Sequence, residues 1–368
     1  MPVSLTVMVV GAYGNFGSII SRRLAREQGI DLVLVGRAAQ VVALAEELGA
    51  RFWQGDALGP EFATALRTLQ IDLVIHTAGP FQGQTHAVAR ACVEAGAHYC
   101  DLSDAREFVA DIAHLDEAAR ARGVALLSGC SSVPTLSAAV IDAFLAKAEA
   151  GFHLQGLHYG ITSSAKMPGL STVKGVLSYA GRPIPQQRNG RLCPVPGWQG
   201  LHWVRIKGMR GWRLVADVDV PDMAVFPQRY GVRDIHFKAG PGLALGTLAN
   251  YLLACAVRSG FMTDTDRAAH WLHRLGQRFE RLGNGKSAFY LELNGIAGGR
   301  PLGYRWELLA THDKGPQIPC CAAIALARKM AAGYRPVPGA RVCVGELTLR
   351  EYLEEIGPAF ITVREEWR

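Results

Sequence analysis

None of the eight cysteines forms a Cys-x-x-Cys pair or sits at a Cys/His spacing suited to a metal; Cys92, Cys100, Cys130, Cys193, Cys255, Cys320, Cys321 and Cys343 are scattered. That excludes a disulfide scaffold, gives no metal site, and points to a reducing, cytoplasmic compartment. The first ten residues lack the basic start, long apolar stretch and small-residue cleavage site of an export signal, so export is not expected. Two charge-free stretches, 123–141 and 239–257, approach the length of a membrane span. Gly129 and Pro134 interrupt the first, and Gly240, Pro241, Gly242, Gly246 and Asn250 the second, so both read as buried segments of a globular protein and no membrane partner is expected. A continuous run of basic residues is also missing. The 39 Lys and Arg against 32 Asp and Glu leave a net charge of +7, spread along the chain. This gives no indication of a nucleic-acid reader, and suits either a small acidic ligand or an ordinary solvated basic surface. There is no internal repeat and no low-complexity tract.

What is present is an ordinary globular composition, 49% hydrophobic and 19% charged over 368 residues, enough for two domains. From Leu5 to about Ala148, short apolar runs alternate with helix-period segments. Strands are expected at Leu5 to Val10, Asp31 to Val35, Arg51 to Trp53, Asp72 to His76, His98 to Asp101 and Val124 to Leu127. Helices are expected at Phe16 to Glu27, Gln40 to Leu48, Pro60 to Leu69, Gln84 to Ala95 and Arg106 to Arg122. Strands alternating with helices specify an α/β class: an N-terminal Rossmann domain with a doubly wound parallel sheet over 1–135. The texture then changes to alternating strands (Leu157, Tyr159, Ile161), a Pro/Gly-rich stretch from Arg182 to Pro221, and a hairpin of Ala288 to Asn294 with Tyr304 to Ala310 around the loop 295–303. A second α/β domain with a mixed or antiparallel sheet, 136–317, is the expectation. The remainder, 318–368, is expected to be largely helical and to pack back on the first domain. It holds a helix at Ile318 to Met330, a capping box of Thr348 with Glu351, and a tail strand at Phe360 to Val363.

The strongest chemical signal is Gly11-Ala12-Tyr13-Gly14-Asn15-Phe16-Gly17, directly after the first strand and opening the first helix. A pyrophosphate needs backbone N–H groups at a helix N-terminus and no side chain in the way, and glycines at this spacing meet both needs. At the end of the second strand, where an Asp or Glu would receive the ribose hydroxyls of NAD, the chain reads Val35-Gly36-Arg37. A guanidinium there forks onto a 2′-phosphate, with Gly36 leaving room beside it, and so favours NADP(H); a solvated loop arginine is the plainer reading of Arg37. Ligands of such sheets lie beyond the carboxyl ends of the strands, which directs attention to Thr77-Ala78-Gly79-Pro80-Phe81, Leu102-Ser103-Asp104 and Ser128 to Pro134. The cofactor set is therefore Gly11, Tyr13, Gly14, Asn15, Phe16, Gly17, Gly36, Arg37, Asp56, Ala78, Gly79, Pro80 and Phe81. A core phenylalanine in a plain turn explains Phe81 almost as well.

Four stretches, GAYGNFG, LVGR, HTAGPFQGQTHAVARACVEAGAHYCDLSD and GCSSVP, resemble the saccharopine dehydrogenase-like NAD(P)-dependent oxidoreductases. The likeness is close over about the first 140 residues and patchy beyond, where 175–181 and 306–327 look like the catalytic-domain pattern of bacterial members. The resemblance implies a Rossmann domain, a second α/β domain for substrate binding and often dimerisation, and reduction of an imine formed from an amine and a carbonyl compound. A homodimer acting on a small polar substrate, of amino-acid or polyamine type, is the expectation, with the active cleft between the two domains.

Imine reduction requires a hydride donor and a proton or charge at nitrogen. Tyr99 and Asp101 at the end of the fifth strand and Cys130 after the sixth form the candidate reactive edge. Asp101 also suits a helix cap, and Cys130, Ser131 and Ser132 suit packing or loop capping rather better than proton transfer. His76 and His98 read as core residues. Lys166, Lys174 and Tyr179 belong to a segment that could meet a substrate carboxylate, though a solvated helix face describes each one better. Short-chain dehydrogenase chemistry is disfavoured because none of the ten tyrosines has a lysine four positions later, and zinc-dependent dehydrogenase chemistry by the lack of ligand spacing. An NADP-binding regulator without turnover is the alternative from a different class.

Overall fold

Sixteen strands and their helices emerge in the computed structural model, which describes residues 4–164 and 167–368. The strands are β1 (Leu5–Val10), β2 (Ile30–Gly36), β3 (Arg51–Gln54), β4 (Leu73–His76), β5 (His98–Asp101), β6 (Ala125–Ser128), β7 (His153–Thr162), β8 (Pro183–Arg188), β9 (Arg191–Pro196), β10 (His202–Val204), β11 (Arg213–Asp217), β12 (Asp234–Gly240), β13 (Ser287–Ala297), β14 (Arg300–Ala310), β15 (Gly339–Val342) and β16 (Ile361–Trp367). The chain divides into two units. One takes in the residues up to Ala139 together with Pro316–Glu355; the other holds Val140–Gly315 and Ile356–Arg368.

In the first unit seven parallel strands lie in the order β15-β6-β5-β4-β1-β2-β3. Six of them lie within one residue of the expected bounds; β1, buried except for Thr6, is the unbroken apolar run of a strand covered on both faces, whereas the edge strand β3 is largely exposed. The helices are α1 (Asn15–Leu24), α2 (Gln40–Leu48), α3 (Phe62–Thr68), α4 (Ala87–Ala95), α5 (Arg106–Asp111) and α6 (Asp116–Arg122). Met8, Val33, Val74, Phe62, Leu66, Val88 and Tyr99 share one core cluster. Two helices differ from expectation. The helix expected from Arg106 to Arg122 is broken by the 3-10 turn Ile112–Leu115, where the His114 imidazole takes the Asp111 carbonyl that an uninterrupted helix would offer to Leu115. The helix expected from Gln84 begins at Ala87 because the Gln84 side chain is spent on the preceding loop. β15, unforeseen, adds to β6 in parallel, Gly339 opposite Ala125.

The second unit contains a nine-stranded mixed sheet. Its path runs β10-β11-β12-β7-β13-β14-β16, and the β8–β9 hairpin joins at β12; only β12 and β7 pair in parallel. The hairpin expected around 295–303 has a tighter turn, with β13 and β14 continuing to Ala297 and Arg300 around Gly298-Gly299. Both glycines are at positive φ, as a two-residue hairpin turn of the favoured type requires. The Pro/Gly-rich stretch holds another hairpin, turned by Asn189-Gly190. Of the last fifty residues, Cys321–Ala331 is helical, the Thr348–Glu351 capping box is formed, and the tail strand runs antiparallel to β14. The charge-free stretches fall on β6, its following turn and the start of the helix Ser137–Leu145, and on the end of β12 and the helix Ala244–Arg258. Among the described residues no helix is long and apolar enough to cross a membrane.

Candidate cofactor site

β1 ends at Val10, and the chain turns into α1 through Gly11, whose φ is +79°. A Cβ at Gly11 would stand 2.9 Å from the Thr77 hydroxyl, and one at Gly17 would overlap the Gly11 carbonyl oxygen at 2.1 Å. The turn can be made only with bare backbone at these two positions. The amides of Gly11 and Ala12 donate to the Val35 carbonyl at 3.0 and 3.1 Å, and Gly14 N–H donates to Gly11 at 2.9 Å, so the loop is locked between β1 and β2. Gly14 is the N-cap of α1, no side chain caps it, and the first turn carries no acidic residue. A helix N-terminus of this kind leaves its leading N–H groups, at Asn15, Phe16 and Gly17, directed to an anion. The Thr77 hydroxyl ties the end of β4 to this turn by donating to the Val10 carbonyl at 2.8 Å.

The end of β2 departs from expectation in one respect. The space beside Gly36 is taken by the Tyr13 ring, since a Cβ at Gly36 would lie 2.3 Å from Tyr13 Cε1; Gly36 thus admits an aromatic ring of the chain's own. Arg37 is exposed, and among the described residues its guanidinium has no ion pair; its carbonyl accepts from Gln54 Nε2 at 3.3 Å. Asp56 caps its own turn, Oδ1 accepting from Leu58 N–H at 3.0 Å. After β4, the Gln84 amide donates to the carbonyls of Ala78 (2.9 Å) and Pro80 (2.7 Å), holding Ala78 to Pro80 as one bracket; the Gly79–Pro80 bond is cis. Phe81 turns inward, buried against His76 and Phe108 at ring distances of 5.0 and 5.2 Å.

The three residues of the candidate reactive edge come together, and all are buried. Asp101 Oδ1 accepts from the Ser103 and Gly129 amides, both at 2.9 Å, and its carbonyl accepts from Cys130 N–H at 2.7 Å, so one residue joins the ends of β5 and β6. Burial pushes the Asp101 carboxyl up, against the pull of those amides. The Tyr99 hydroxyl lies 3.2 Å from His76 Nδ1, and the Cys130 thiol, raised by burial, faces the Leu127 carbonyl at 3.6 Å. Burial, helped by the nearby His86, holds His76 down to about 3. This geometry suits bracing of the sheet edge rather than proton delivery. In the other unit, Lys174 is ion-paired with Asp266 at 2.9 Å and Tyr179 is half-buried. Lys166 lies outside the described residues. Thr77 and Gln84 stood in the sequence only as members of the stretch after the fourth strand, with no role of their own; their hydroxyl and amide matter because the fold sets carbonyls opposite them.

A parallel sheet in the order 3-2-1-4-5-6 with an open, glycine-lined helix N-terminus at the β1/β4 switch point defines a Rossmann dinucleotide-binding domain. Residues 7–127 match the family model "Saccharopine dehydrogenase NADP binding domain". Across 99% of this chain and 100% of the other, the fold is that of apo saccharopine dehydrogenase (L-Glu forming) from Saccharomyces cerevisiae, with a TM-score of 0.72 at 13% identity. Homospermidine synthase from Legionella pneumophila, solved with NAD, is similar over 99% of this chain and 91% of its own, with a TM-score of 0.65 at 9% identity. The likeness to this family's NADP-binding domain thus lies in residues 7–127, and the likeness of the whole chain to the two solved structures is one of fold. A Mycobacterium tuberculosis protein provisionally named a trans-acting enoyl reductase is 30% identical over 144 residues, a stretch that spans 36% of this chain and 34% of that relative.

Proposed function

We propose that this chain is an NADP(H)-dependent oxidoreductase acting on the C=N bond of a small polar substrate. The observation that carries the reading is the uncapped N-terminus of α1, reached through a turn that a Cβ at Gly11 or Gly17 would fill. These residues fit a dinucleotide: the α1 amides would hold its pyrophosphate, and the free guanidinium of Arg37 would take a 2′-phosphate. When bound, the nicotinamide supplies or accepts a hydride. The bracket of Ala78, Gly79 and Pro80, set by Gln84, and the buried Asp101 that joins β5 to β6 give the carboxyl edge a rigid floor.

Reduction of a C=C bond is the second reading, favoured by the segment shared with the mycobacterial relative. The test is NADPH absorbance with pooled amine-plus-carbonyl pairs against pooled enoyl thioesters. Consumption with the first pools supports imine reduction, consumption with the second supports enoyl reduction, and tight binding with neither supports an NADP-responsive regulator.

A further inference from the structure

His86, Asp111 and His114 lie in the first unit, away from the glycine turn. His86 is the residue just before α4, Asp111 ends α5, and His114 sits in the 3-10 turn that follows. Their ligand-type atoms all lie within 4.8 Å of one another. His86 Nε2 is 3.8 Å from Asp111 Oδ2, and His114 Nδ1 is 3.3 Å from the same oxygen. The first distance is too long for a hydrogen bond. Both are close to the edge of a tetrahedral zinc site, whose ligands at roughly 2.0–2.1 Å stand about 3.3 Å apart. His86 is 4% exposed, and its other nitrogen, Nδ1, is buried with no hydrogen-bond partner; its ring is fixed by Phe108 at 4.2 Å and His114 at 5.2 Å. Asp111 is open to solvent, which provides an entry path.

We propose that His86, Asp111 and His114 form a binding site for a divalent transition metal of the zinc type, two imidazoles and one carboxylate, with the fourth position left to water. The site would staple the start of α4 to the end of α5, and through the contacts of Phe108 with His86 and Phe81 it would stiffen the loop after β4. His114 Nδ1 also bonds the Asp111 carbonyl, and Arg90 Nη1 lies 3.5 Å from His114 Nε2. In the metal-free chain the imidazole proton is therefore on Nδ1. Metal binding at Nδ1 displaces its bond to the Asp111 carbonyl and puts the ring N–H on Nε2, facing the guanidinium. Arg90 works against the metal twice, by its charge and by resisting that tautomer. A merely hydrogen-bonded cluster would not have this consequence.

The experiment is titration of the chelator-stripped full chain with Zn²⁺ against a chromogenic indicator, followed by Co²⁺ absorption. One equivalent should bind with micromolar or tighter affinity. His114→Ala and Asp111→Asn, both at exposed positions, should weaken it about tenfold or more, and Arg90→Gln should tighten it severalfold, while the remote His312→Ala changes nothing. Absence of an equivalent at micromolar Zn²⁺, or equal affinity in all four variants, overturns the proposal. Because the readout is metal affinity, its failure leaves the cofactor reading unaffected.

Discussion

The two sheets of this protein handle charge in opposite ways. The parallel sheet of the first unit is almost purely apolar through β1, β2, β4 and β6, and its polar groups gather at the carboxyl ends. The mixed sheet carries charge across its strands. Arg305 on β14 bonds both Glu307, 4% exposed, and Glu292 on β13, while Lys238 on β12 pairs with Asp217 on β11. A sheet covered on both faces cannot tolerate unpaired charge, whereas one with a wetter face can pair it across neighbouring strands. One unit thus concentrates its polar chemistry at an edge, and the other spends it on cohesion.

The sharpest way to break this contrast is Arg305→Ala, which takes from the buried Glu307 its ion-pair partner and leaves it the Lys207 amide. It should cost about 3 kcal/mol in urea unfolding while leaving NADPH affinity unchanged. Gly17→Ala is the counterpart in the first unit. Its Cβ would overlap the Gly11 carbonyl, and calorimetry should show NADPH affinity falling about 100-fold, roughly 2.7 kcal/mol. His76 provides a pH signature of the apolar sheet. Held down to about 3 against an ordinary 6.5, it is neutral when folded and protonated when unfolded between those values. Its contribution is complete above pH 6.5 and falls by up to about 1.4 kcal/mol per pH unit toward 3; His76→Asn should lose that slope in unfolding curves recorded from pH 7 to 4. Arg37→Asp should move the NADP-to-NAD affinity ratio about tenfold or more toward NAD, and an unchanged ratio would place the phosphate elsewhere. The smallest effect belongs to Lys174→Ala, an ion pair with a largely exposed Asp266, at about 0.5 kcal/mol or less in the same unfolding assay.

The same contrast explains which parts of the molecule were readable from residues. Buried parallel strands such as β1, β2, β4 and β6 are nearly continuous apolar runs and stood out to within a residue, and glycine spacing marked the α1 turn without any tertiary information. The mixed sheet was less legible, since β8 and β9 lie in a stretch rich in Pro and Gly; in the parallel sheet β15 escaped notice because it has only four residues, of which Arg341 is charged. At the site, Gly11, Gly14 and Gly17 were identifiable because backbone chemistry alone defines them. The occupant of the space beside Gly36 was not, since it required knowing that the Tyr13 ring folds across the end of β2.

Local pattern was thus enough for the order of the first six strands' elements, the capping box at Thr348 and the bare turn of α1, because propensity, periodicity and glycine's freedom act between near neighbours in the chain. Long-range folding alone decided that β15 completes the parallel sheet, that Asp101 joins β5 to β6, that Gln84 brackets Ala78 and Pro80, and that His86 meets Asp111 and His114. Those outcomes depend on which carbonyl, amide or imidazole packing brings within bonding reach, and no short-range rule encodes that distance.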